Sequence, residues 1–244
     1  RPAMIFNYWK STSYRGQGAY AGENPPEGAC ISYHLARPAD SVRVTITNAA
    51  GQVVRRFSGP AAAGVVQRVT WDLRHEPPPS FVPDTSEGGP GAAGSLGTDV
   101  PLPHPVTARG PFVSPGTYTV RLAAGDASAM GTLDVRGDTL MRLNDAQWRE
   151  REEFLVAVLE HQERAASAAQ RARGLPDSLR ALRTRANEVR RDLDRLAGEF
   201  NGRGARQGSL YPPTSTHRQR YQALQAALAA VLAEMQVALP AADR

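Results

Sequence analysis

The sequence holds a single cysteine, Cys30, a single lysine, Lys10, and no apolar run approaching the roughly 18 residues that a membrane-spanning helix needs. One cysteine excludes an intramolecular disulfide framework and any multi-cysteine zinc site. With lysine nearly absent, the net charge of +5 and the isoelectric point of about 9.8 are properties of arginine. Arg, Ala, Gly and Pro are also what a GC-rich genome writes by default, so basicity alone is weak support for a nucleic-acid partner. Arg1 is preceded by no initiator Met and followed by no signal-peptide apolar core, from which a processed chain or, preferably, a piece of a longer protein is expected. What is present, 244 residues with 41% hydrophobic and 22% charged, suffices for one large or two ordinary domains, each with a core.

Composition changes near residue 140. Upstream lie nearly all the Pro and Gly, together with segments that alternate apolar and polar residues; downstream, Ala, Leu, Arg, Glu and Gln recur at helical spacing. The alternation predicts strands over Ala29–Leu35, Val42–Thr47, Gln52–Phe57, Val65–Leu73, Thr117–Leu122 and Ser128–Val135. Val42, Val44 and Ile46 fall on one face of the second, and Val69, Trp71 and Leu73 on one face of the fourth. Asn48-Ala49-Ala50-Gly51 reads as the turn of a hairpin, with Gly51 suited to a positive φ. Six short strands punctuated by Gly and Pro imply an antiparallel β-sandwich over 28–137, carrying a Pro/Gly-rich insertion at 76–114. Residues 1–27 are left as a connector.

Three helices are expected over 143–239. Asn144 and Gln147 form a capping-box pair ahead of Trp148, Phe154, Leu155, Val158 and Leu159, and Gly174 with Pro176 stops this helix. Leu179, Leu182, Ala186, Val189, Leu193, Leu196 and Phe200 step three and four residues apart up to Asn201-Gly202. Thr214 or Ser215 caps a third helix whose apolar face carries Tyr221, Leu224, Leu228, Val231, Leu232, Met235 and Leu239. The fold class is therefore α+β, all-β then all-α: a sandwich followed by a helical hairpin or three-helix bundle.

Two strings carry a resemblance. Tyr20 to Leu35 contains Glu23-Asn24-Pro25-Pro26-Glu27-Gly28, and Val42 to Arg55 is completed by Trp71-Asp72-Leu73-Arg74 and Pro115-Gly116-Thr117-Tyr118. Together they resemble the C-terminal region of large bacterial secreted proteins that carry sortilin-like β-propellers of neuraminidase-type repeats, often labelled glycosyl hydrolases. The sandwich is similar to the immunoglobulin-like domain of the flagellar hook-capping protein. The resemblance implies an accessory role in a secreted or periplasmic, cell-envelope protein, with Asn24, Pro25, Pro26 and Gly28 joining a preceding propeller to the sandwich. Gly51, Trp71, Asp72, Gly116 and Tyr118 are its structural motif. The propeller itself is absent from these residues, so a hydrolase activity does not transfer to them.

Candidate chemistry reads mostly as structure. His34, His75, His104, His161 and His217 show no metal-ligand spacing. Asp72 and Glu76 flank Arg74 and His75 and mimic an acid/base pair, but a glycosidase needs two carboxylates across a sugar cleft, and strand-edge polarity is the plainer reading. Gly88-Gly89-Pro90-Gly91 lacks the Lys-Ser/Thr of a phosphate loop. Cys30, within a strand, is expected to be a buried, inert thiol. The arginines from Arg180 to Arg195 alternate with Glu188, Asp192 and Asp194, as a solvated helix face does, and Arg203-Gly204-Ala205-Arg206 lacks aromatic interleaving, so no nucleic-acid partner is implied. Tyr8, Trp9, Tyr14 and Tyr20 suit either packing on a propeller or stacking on a glycan. The expectation is a non-catalytic structural and protein-interaction region without cofactor, the alternative a carbohydrate-binding accessory module.

Overall fold

The computed structural model describes residues 2–5, 28–78, 109–202 and 208–238, which belong to two compact units, one of 1–76 with 110–149 and one of 77–109 with 150–244. In the first unit the strands are β1 (Ala3–Met4), β2 (Ala29–His34), β3 (Val42–Thr47), β4 (Val53–Gly59), β5 (Val66–Trp71), β6 (Gly116–Ala124) and β7 (Ala127–Arg136). They form a five-stranded sheet in the order β1-β7-β6-β3-β4 and a two-stranded sheet β2-β5. Every pairing is antiparallel except β1 with β7.

Alternation decides which side chains enter the core. Val42, Val44 and Ile46 of β3 are buried, as are Tyr118 and Val120 of β6 and Val135 of β7. Trp71 ends β5 fully buried and meets Tyr118 of the other sheet edge to face, with ring centroids 5.3 Å apart. The β3–β4 hairpin closes as expected: the Asn48 carboxamide oxygen accepts the N–H groups of Ala50 and Gln52, and Gly51 has φ +76°. A bulge at Ile46/Thr47 shifts the register of β3 against β4.

Three expectations change. A first strand, Ala3–Met4, lies in the stretch read only as a connector; Ala3 and Ile5 are buried beside β7, and Ile5 N–H donates to the Arg136 carbonyl at 2.8 Å. Two residues are too few for alternation to announce a strand. The returning arm of the insertion, Gly110 to Ser114, is buried and belongs to the sandwich. Cys30 is exposed, not buried: register opposes it to Thr70, and the period of two places it with Ser32 and His34 on the solvent side, while Ala29 points inward.

The helices are α1 (Asp145–Ala172), α2 (Arg180–Asn201) and α3 (Ser215–Ala238). The capping box at α1 is reciprocal, Gln147 N–H to Asn144 Oδ1 at 2.9 Å and Asn144 N–H to Gln147 Oε1 at 3.0 Å. Trp148 in its first turn is buried, and a Cβ on Gly137 would fall 2.7 Å from the indole nitrogen. Within the second unit, Phe154 of α1 meets Phe200 at the end of α2 and Tyr221 near the start of α3, while Gln162 donates to Asp194 at 2.8 Å and Arg185 pairs with Glu234. Adjacent helices are therefore antiparallel, and the helical region is a three-helix bundle. Its core includes Leu155, Val158, Leu182, Leu193, Leu196 and Leu228.

Candidate functional site

The sequence placed its acid/base candidates at the end of β5, and the structure shows what that segment does. After Trp71, Asp72 turns outward, and Leu73 takes φ +59°, a left-handed conformation rare for leucine. The left-handed residue keeps the Leu73 side chain buried and redirects the backbone, so that Arg74 forms an antiparallel bridge with Phe112. Val113 N–H donates to the Leu73 carbonyl at 3.0 Å and His75 N–H to the Pro111 carbonyl at 2.9 Å. These bonds clamp the two ends of the insertion against each other.

Arg74 holds the clamp. It is 5% exposed, its guanidinium donates to the Gly110 carbonyl at 2.8 Å, and its Cζ lies 3.5 Å from the centre of the Phe112 ring. Gly110 has to be glycine, because a Cβ would fall 2.1 Å from the His75 carbonyl oxygen. The Trp71 indole N–H donates to the Arg74 carbonyl at 2.9 Å, and the Tyr118 hydroxyl donates to the Ser114 carbonyl at 2.7 Å. The second bond, from a tyrosine to a carbonyl four residues upstream, has the form of the tyrosine corner of immunoglobulin-type sandwiches. Gly28 has φ +96°, and a Cβ there would lie 2.0 Å from the Trp71 carbonyl oxygen.

Both carboxylates are engaged by this framework. Glu76 Oε1 accepts the Arg56 N–H at 2.6 Å and its Oε2 pairs with the Arg55 guanidinium at 3.3 Å, which also donates to the His75 carbonyl. Asp72 keeps solvent access, yet enough protein surrounds its carboxyl that desolvation raises its pKa from the usual carboxylate value; Arg55, Arg74 and backbone N–H groups oppose the rise. Both contacts hold Glu76 along β4 while its side chain stays 47% exposed.

The other sequence candidates separate. Gly51 sits in its turn and Gly116 opens β6, as read. Tyr8, Trp9, Tyr14, Tyr20, Asn24, Pro25, Pro26 and His104 lie outside the described residues. Among the described residues no group of three His, Cys, Asp or Glu side chains converges as a metal site would require. His161 Nδ1 lies 2.8 Å from the Tyr221 hydroxyl, whose pKa is pushed up to about 12 by burial first and by Glu160 second. His217 takes the Glu position of a capping box: its Nδ1 accepts Thr214 N–H at 3.0 Å, and its Nε2 faces Glu199 at 3.2 Å. A depression of about 390 Å³ on the bundle, lined by Glu163, Arg164, Ser167, Arg171 and Leu232, lies open to solvent, unlike the enclosed cleft of a small-molecule site.

Sequence reasoning missed Arg151. It is 1% exposed, and its guanidinium donates to the carbonyls of Phe200 and Ser209, fastening the C-terminal end of α2 to the segment that leads toward α3. Desolvation lowers its pKa to about 10 against the pull of Glu152. The positive charge suits the carbonyl end of a helix. Its only forewarning in sequence is its place on the apolar stripe of α1, three residues after Trp148 and three before Phe154.

A family model, the FlgD Ig-like domain, matches residues 27–75, about a fifth of the chain, which spans β2 through β5 and the start of the clamp. No curated protein and no solved structure matches. The match supports the immunoglobulin-like reading of the sandwich, a kind of module that serves structure and interaction. No helix among the described residues is long and apolar enough to cross a membrane.

Proposed function

We propose that the chain is a non-catalytic structural and protein-interaction region of a secreted or cell-envelope protein. In this reading the sandwich is a rigid spacer and docking surface, and the bundle binds a β-propeller of the same parent protein or another subunit. The observation that carries it is the commitment of polar groups around Trp71: Arg74, Glu76 and the Tyr118 hydroxyl are spent on closing the sandwich. The match of residues 27–75 to an Ig-like domain supports the same reading. Sedimentation velocity of the chain mixed with the propeller-bearing part of the parent protein tests it. A shared boundary is expected; independent sedimentation of both at micromolar concentration contradicts it.

The aromatic set Tyr8, Trp9, Tyr14 and Tyr20 favours a second reading, a carbohydrate-binding accessory module. Glycan-array binding that is lost on Trp9→Ala supports that reading, and a silent array removes it.

A further inference from the structure

Several arginines are answered by acid: in the bundle Arg183 pairs with Asp177, Arg185 with Glu234, Arg190 with Asp194, Arg218 with Glu150 and Arg220 with Glu199, and in the sandwich Arg55 pairs with Glu76. On the solvent face of the five-stranded sheet three are not. Register sets Arg56 of β4 and Arg121 of β6 on either side of Thr45 in one rung, and Arg43 is two residues along β3 on the same face. All three arginines are exposed, and among the described residues none forms an ion pair.

Strands lie about 4.8 Å apart and alternate residues about 7 Å along a strand, so the three guanidiniums spring from a patch roughly 10 Å across. Arg43 stands diagonally from both Arg56 and Arg121 across neighbouring strands, so the three like charges crowd one face with no opposite charge set between them. On the same face, Asp134 of β7 is drawn to the Thr117 hydroxyl at 2.8 Å, three strands away from Arg56, and the Glu76 carboxylate at the β4 edge is taken up by the Arg56 N–H and the Arg55 guanidinium. Next to Arg121 stands Met130, 76% exposed, which gives the patch one apolar contact. Arg and Met are both enriched in protein interfaces.

We propose that this face, centred on Thr45 and carrying Arg43, Arg56 and Arg121, docks an acidic surface of a partner protein. This rests on the reading of the chain as a protein-interaction region. A second copy is a poor occupant, since each chain carries a net charge of +5 and would present the same arginines. A glycan is disfavoured because the described strands put no aromatic ring on this face for a sugar to stack on: Tyr118 points into the core and Phe57 pairs with the inward Val44.

Fluorescence anisotropy of the full chain with labelled poly-L-glutamate tests the proposal, with heparin and a 20-nucleotide single-stranded DNA as parallel ligands. Binding of poly-L-glutamate that weakens with salt is expected, and the triple variant Arg43→Gln, Arg56→Gln, Arg121→Gln should lose about tenfold in affinity, each exposed contact contributing modestly. Thr45→Glu, which puts a negative charge at the centre, should weaken it likewise and keeps the test intact where the triple variant misfolds. Arg185→Gln in the bundle should change nothing. The proposal is overturned by absence of poly-L-glutamate binding, by affinity insensitive to these sheet variants, or by heparin or DNA binding tighter through the same arginines. Hydrolase activity in the chain would defeat the non-catalytic reading without touching this binding result, so the two fail separately.

Discussion

The indole of Trp71 and the phenol ring of Tyr118 meet edge to face, 5.3 Å between centroids, and each sends its polar atom to a backbone carbonyl, Trp71 to Arg74 and Tyr118 to Ser114. One pair thereby joins the two sheets and fixes both segments that flank the insertion. Trp71→Ala removes the larger ring from a fully buried position and should cost about 3–5 kcal/mol in urea unfolding followed by circular dichroism. Tyr118→Phe keeps the ring contact and loses the hydrogen bond, for about 1 kcal/mol. Equal costs for the two would contradict the division of labour between ring and hydroxyl.

Gly110 and Gly28 are placed by close backbone approach. Gly110→Ala and Gly28→Ala each drive a Cβ to about 2 Å from a carbonyl oxygen, so the backbone has to move. Losses of about 1–3 kcal/mol are expected from either. Gly198→Ala, on α2 with open space around its Cβ position, should be neutral or stabilising by contrast.

Much of this fold was legible in the sequence, and the particular failures have physical causes. Val42, Val44 and Ile46 announced their strand because a two-residue period leaves no other assignment, and Asn144 with Gln147 announced α1 because the reciprocal bonds are local. Arg74 and Arg151 were illegible as buried residues, since their partners are carbonyls 36 residues or more away in sequence. Cys30 is exposed although thiols are usually buried, because the alternation of its own strand sets it on the face opposite Ala29. The arginine face depends on β3 lying between β4 and β6, a strand order that composition does not reveal.

Asp72 gives a pH dependence of definite sign. Its pKa is raised in the folded chain, so the unfolded chain releases this proton first as pH rises, and Asp72 disfavours the fold once pH passes from the ordinary carboxylate value through the raised one. Asp72→Asn should therefore raise the Tm at pH 7 and leave it unchanged at pH 3. A variant that lowers the Tm at pH 7 would mean the carboxylate's bonds to Arg74 and its backbone outweigh its desolvation.

Tyr221 should titrate later than an ordinary phenol. With a folded pKa of about 12 against an ordinary value of 10, its contribution to stability is complete below pH 10 and disappears as pH rises through 12. Ultraviolet difference titration should show a late phenolate step in the native chain that Tyr221→Phe abolishes. Persistence of that step in the variant would assign it to another tyrosine.

In the proposed function, the polar residues around Trp71 hold a module together and perform no chemistry. The direct measurement is turnover of an aryl glycoside panel by the purified chain, beside Asp72→Asn and Glu76→Gln. Release of aryl product at the buffer rate in all three is the predicted result. Turnover by the native chain that either substitution abolishes would contradict the account.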